Sequence, residues 1–169
     1  ALRWLSRFKN ELQHGRSAEE RSTEWYCLHR PRVQAELDRV PKILVQRTRN
    51  PRLSTRIVAA MDETNGIYGM ESVIFIVPLA DDAPIYFLLA VLNSKLVNYL
   101  FATKYLNVAI KAEYLKDLPM PDATAAEVEK LSGLARDILG AKKADPTADI
   151  TDLEKQIDEK VYELYGITE

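Results

Sequence analysis

Between Pro84 and Pro121 the chain reads PIYFLLAVLNSKLVNYLFATKYLNVAIKAEYLKDLPMP, and no other stretch restricts the fold as much. Ile85, Leu88, Leu89, Leu92, Leu96, Tyr99 and Leu100 recur at spacings of three and four, which lines one face of a helix from Pro84 to Ala102 and marks it as core. Asn93, Ser94 and Lys95 interrupt that apolar register together. Val108 and Ile110 then flank Ala109 in a β-branched run. Leu118, Pro119, Met120 and Pro121 stop all regular structure, because proline offers no backbone N–H and fixes φ. The expected order is helix, strand, short helix, stop.

The segments on either side supply a sheet and more helix. Leu2, Leu5, Phe8 and Leu12 share one face of a helix over Leu2–Gln13, with Gly15 as a C-cap and a polar loop after it. Trp25 opens a short segment and is expected in the core, with Arg30 and Arg32 on its surface. Ile43, Leu44 and Val45 form a short apolar run suited to a buried strand, and Arg56–Met61 suits a second. Asn65–Gly66 is the strongest hairpin signal in the chain. Val73 to Val77 are apolar without alternation, so that strand should be covered on both faces. Thr124 with Glu127 makes a capping box for one late helix, and Thr151 with Glu154 makes another for a last helix closed by Gly166. The fold class expected is α+β: a small twisted, mostly antiparallel sheet packed on a central helix, followed by a C-terminal antiparallel helix pair. The division expected is residues 1–121 as the α+β part and residues 122–169 as a helical hairpin packed on it.

Charge is unevenly distributed along the chain. Residues 1–56 hold 13 Lys/Arg against 6 Asp/Glu, whereas residues 122–169 hold 6 against 12, although the net charge is only −2. A basic amino-terminal third beside an acidic carboxy-terminal third fits one face turned to a polyanion and another turned to solvent or a protein. Chance clustering on a solvated surface fits it too. The apolar run Ile85–Leu92 ends at Asn93, well short of the roughly 20 residues a membrane span needs, and Arg3, Arg7 and Lys9 break up any signal-peptide pattern. A single cysteine, Cys27, excludes an internal disulfide and fits a reducing cytoplasm. The chain opens at Ala1 in a helix-like stretch, as a piece of a longer protein would.

Chemistry-bearing patterns are sparse. Cys27, His29 and His14 fall short of the four Cys/His ligands of a structural zinc site. Asp122 with Asp158, Glu159 and Lys160 can be forced into a nuclease-like set of carboxylates and a lysine, but both halves lie at or in helices rather than on adjacent strands. Lys42 and Lys111 have no partnered acid-base constellation visible in the sequence. All six glycines are isolated from any nucleotide-binding loop. The one polar cluster with a coherent chemistry is Gln46, Arg47, Thr48, Arg49, Asn50 and Arg52, whose side chains offer donors suited to guanine and adenine edges and to phosphates. A solvated loop would read the same way. Lys104 and Lys111, bracketing the strand expected at Val108–Ile110, are candidate secondary contacts.

LLAVLNSKL followed by AIKAEYLKDLPMP resembles the TaqI-like C-terminal specificity domain, the target-recognition part of adenine-specific DNA methyltransferases and of fused restriction-modification enzymes. WYCLHRPR (Trp25 to Arg32) and PKILVQRT (Pro41 to Thr48) resemble that family's preceding landmarks, and LEKQIDEKVYELYGITE resembles the helix with which many of these enzymes end. The resemblance implies double-stranded DNA as partner and an upstream methyltransferase domain in the same polypeptide. It implies no cofactor in this chain, S-adenosylmethionine belonging to that missing catalytic domain. The tetrapeptide Asn-Pro-Pro-Tyr expected of the catalytic domain does not occur, Asn50–Pro51 being followed by Arg52. Arg30, Arg32, Gln46, Arg47, Thr48, Arg49, Asn50, Arg52, Lys104 and Lys111 are the expected DNA-binding residues, with no catalytic residue. Two other functions stay open: a protein-interaction or scaffold domain docking through its acidic helices, and the specificity subunit of a multisubunit restriction system, where such domains occur in tandem.

Overall fold

A computed structural model describes residues 2–17, 24–27, 33–69 and 71–167. The chain divides into two compact units, Ala1–Glu36 and Leu37–Glu169.

In the first unit the expected helix is broken. α1 (Leu2–Leu5) runs into a 3-10 turn (Ser6–Phe8) and then α2 (Lys9–Gln13), with no buried residue in any of the three pieces. Gly15 follows with φ of 80°, a left-handed conformation that suits glycine after a helix end. Trp25 is half-buried rather than core: its ring meets Tyr26 edge-on at 5.6 Å, and Lys9 Nζ lies 5.9 Å from it. Arg16 donates to the Cys27 carbonyl at 2.6 Å. α3 (Gln34–Leu37) crosses the boundary between the units in sequence.

The second unit is built on β1 (Lys42–Gln46), which is the middle strand of a three-stranded antiparallel sheet among the described residues. β2 (Ala59–Asp62) pairs with β1 in the register Lys42 to Asp62 and Val45 to Ala59; β3 (Val73–Ile76) pairs with it as Ile43 to Ile76 and Gln46 to Val73. Ile43 and Val45 are fully buried, as a strand flanked on both edges should be. All four residues of β3 are half-buried without alternation.

Asn65–Gly66 does not make a hairpin. β2 and β3 lie on opposite edges of β1, so the chain between them cannot close a two-residue turn. The segment instead folds around the Asp62 carboxylate, which accepts from the backbone N–H groups of Thr64, Gly66 and Ile67. Beneath it Lys42, also buried, bonds to Asp62 at 3.3 Å, to the Leu37 carbonyl at 2.5 Å and to Asn65 Oδ1 at 3.0 Å. Burial pushes the Asp62 carboxyl upward, but the three backbone donors and Lys42 outweigh it and hold it at about 2.

α4 (Ile85–Asn93) is the central helix, packed against the sheet on one side and the C-terminal helices on the other. Burial extends beyond the expected stripe to Phe87, Ala90 and Val91, because α4 has neighbours on more than one side. The expected single helix is two. α4 ends at Asn93 and α5 (Lys95–Lys104) leaves at 64° to it. Ser94 caps the new helix by accepting from Val97 N, and Tyr99, expected on the apolar stripe, is exposed. Neither α4, α5 nor any other single helix among the described residues is long and apolar enough to cross a membrane.

After α6 (Ala112–Lys116), α7 (Ala125–Ala144) starts with the expected Thr124–Glu127 capping box. α8 (Thr151–Leu164) starts differently: Thr151 is its first residue, and the Asp149 carboxylate takes the Thr151 N–H and hydroxyl, so Thr151–Glu154 is no capping box. Its C-terminus closes on Gly166 (φ 68°), with Ile167 N donating to Tyr162 O and Gly166 N to Glu163 O, the paired bonds of a Schellman motif.

Candidate nucleic-acid interface

The polar loop after β1 is held from two sides. Arg47 N donates to Ser72 O at 2.9 Å, tying the loop to the start of β3. Its other side pairs with the segment between α5 and α6: Ile110 N donates to Arg47 O at 2.6 Å, Arg49 N to Val108 O at 3.1 Å, and Thr48 bridges to Ala109. The strand expected at Val108–Ile110 is reduced to this isolated bridge. The consequence is spatial: the loop at 46–52 and the segment 104–111, far apart in sequence, are neighbours.

Within that surface the candidate side chains do different things. Arg49 Nε donates to Thr55 O at 2.6 Å and its Nη1 to Gln46 Oε1 at 3.2 Å, while Gln46 Nε2 donates to Thr48 O at 3.0 Å. Arg47 Nη1 donates to Glu71 O at 3.0 Å. Both guanidiniums thus brace the loop and keep most of their five donors for other acceptors. Asn50 Oδ1 accepts from Arg52 N at 3.0 Å, an Asx turn that projects Arg52 outward. The Arg52 side chain is exposed and has no partner among the described residues. Lys104 pairs with Asp117 at 2.6 Å and Lys111 with Glu113 at 3.2 Å, both at the surface. Those acids hold both ammonium groups above the ordinary lysine range. Arg30 and Arg32 lie outside the described residues.

Two groups that the sequence did not single out organise this surface. Arg56 is fully buried, with no acidic partner among the described residues; its Nη1 donates to Tyr105 O at 2.9 Å and its Nη2 to Asn107 O at 2.7 Å, with Phe101 5.6 Å away. Burial, then the nearby Arg49 charge, lowers its pKa, yet a guanidinium stays charged there. Tyr105 and Tyr114 stack at 4.3 Å, Tyr105 donates its hydroxyl to Asp117, and Asn107 Nδ2 reaches the Tyr114 hydroxyl at 3.1 Å.

The polar break Asn93–Ser94–Lys95 explains how Arg56 is placed. Asn93 both donates to and accepts from the Ala59 backbone at 3.0 Å, and Asn98 Oδ1 accepts from Arg56 N and Ile57 N at 2.7 Å each. Residues 56 and 57 are therefore held by α5 rather than by the sheet, which is why β2 starts at Ala59 and not at Arg56. No pattern in the sequence links Arg56 to Asn98 or to Tyr105.

No curated protein matches the chain. The model of one family, described as the TaqI-like C-terminal specificity domain, matches residues 2–120, well over half of the chain and including both the arginine loop and the turn it pairs with. The chain belongs to that family, whose domains provide DNA-recognition specificity in restriction-modification enzymes.

Proposed function

We propose that this chain is the target-recognition domain of an adenine-specific DNA methyltransferase or of a fused methyltransferase-endonuclease, and that Gln46–Arg52 with Lys104–Lys111 is its DNA face. The observation that carries the reading is the backbone pairing of Arg47–Arg49 with Val108–Ile110, which brings the arginine loop beside the segment that leads into Lys111. Arg52 and the lysines suit phosphate oxygens, whereas the braced Arg47 and Arg49 have the fixed geometry that reading a guanine edge requires. A loop held by its own arginines loses less entropy on meeting a duplex than a free one.

The chain supplies recognition and no methyl transfer. S-adenosylmethionine and the flipping of the target adenine belong to an upstream methyltransferase domain of the same polypeptide, acting in the cytoplasm where the DNA is. The test is made in the full-length enzyme, with alanine at Arg47, Arg49 and Arg52 together. Mapping the modified sites should show lost or altered site choice. Unchanged affinity and unchanged site choice would make the loop solvated surface.

A further inference from the structure

Leu106 is 72% exposed and Val108 is 52% exposed, on a segment otherwise flanked by Lys104 and Lys111. Single apolar side chains on a surface are ordinary and by themselves need no explanation. Here the backbone is fixed on both sides of Leu106. The Tyr105 and Asn107 carbonyls are the two acceptors of the buried Arg56 guanidinium, and the Val108 carbonyl is taken by Arg49 N. A buried guanidinium without an acidic partner is costly to desolvate. Its geometry in this fold goes into holding the loop that carries Leu106 outward.

Resting on the reading of this surface as a DNA face, we infer that Leu106 is a base-contacting, specificity-determining residue that meets a thymine 5-methyl group in the major groove, with Arg56 as the residue that positions it. The thymine methyl is the one apolar group that base edges present in that groove. Arg47 and Arg49, on the loop paired with this segment, keep guanidinium donors that suit phosphates, which favours DNA over an apolar protein partner as the occupant.

The test uses the full-length protein and a random-sequence duplex pool, synthesised once with thymine and once with uracil, which lacks only the methyl. Wild-type protein should select sites with a thymine whose replacement by uracil weakens binding roughly fourfold, the worth of one buried methyl. Leu106→Ala should bind the two versions of that site equally, with the salt dependence unchanged, and Leu106→Met should restore part of the difference. Arg56→Lys, which keeps the cation but loses the fork across two carbonyls, should shrink the thymine-to-uracil ratio as well. If that variant fails to fold, Leu106→Ala decides alone. A thymine-to-uracil ratio of one in the wild type, or a ratio that survives Leu106→Ala, overturns the inference while leaving DNA recognition intact. A uniform loss of binding by Leu106→Ala on every duplex overturns it in favour of a sequence-independent DNA contact, and a wild-type protein that binds no duplex overturns both readings.

Discussion

The charges that matter most in this fold are buried, and they behave in opposite ways. Lys42 has a carboxylate beside it, so breaking that pair leaves an uncompensated ion in the interior. The Asp62 carboxyl sits below its ordinary value of 3.8, at about 2, so its stabilising effect is fully present above the ordinary value and is lost as pH falls through the folded one. Asp62→Asn should therefore cost at least roughly 2 kcal/mol at neutral pH and should flatten the loss of stability between about pH 4 and 2. Denaturant unfolding at a series of acid pH values measures this; parallel curves for the two proteins through that window would mean the carboxylate is not held as described. Arg56 has carbonyls rather than a carboxylate as its hydrogen-bond partners among the described residues, so its role is to fix backbone. Neither Lys42 nor Arg56 was legible in the sequence as more than an isolated cation, because the side chain that pairs with Lys42 and the carbonyls that hold Arg56 lie some twenty to fifty positions away.

At the scale of elements, local signals gave true elements and misplaced their joints. The apolar spacing of Ile85 to Leu92 identified the central helix, and the Thr124–Glu127 box located the start of α7. The break at Asn93–Ser94–Lys95 was visible as a lapse in the pattern, but its purpose was not, since Asn93 and Asn98 serve residues 56–59. Asn65–Gly66 misled for a related reason: turn propensity is local, whereas the choice of β1 as middle strand is made by burial of Ile43 and Val45. Leu92 is core on α4, and Leu92→Ala should destabilise the protein by about 2–5 kcal/mol. Lys95→Ala should cost under about 1 kcal/mol, because its ammonium, 3.0 Å from Asp158, is 75% exposed, and Asp158 keeps the Lys95 backbone N–H. Equal losses by chemical denaturation would contradict the burial of Leu92 in α4 and the exposure of Lys95 at the start of α5.

For the molecule as a whole, the asymmetry of charge gave the first hint of a polyanion partner, and the proposed reading assigns that partner to one loop. Four of the expected contacts, Gln46, Arg47, Thr48 and Arg49, are drawn into a braced turn whose spatial neighbour, Val108–Ile110, follows it by some sixty residues. That proximity could not be read from either segment alone. Among these groups Arg52 is the cleanest probe, since it braces nothing and its loss leaves the turn intact. The most direct measurement is the affinity of the full-length enzyme for a random-sequence duplex as salt is raised, with and without Arg52→Ala. The account predicts binding that weakens linearly on logarithmic axes, with a slope lower by about one in the variant and no change in sequence preference. A slope identical in the two proteins would contradict the assignment of this loop to the DNA face.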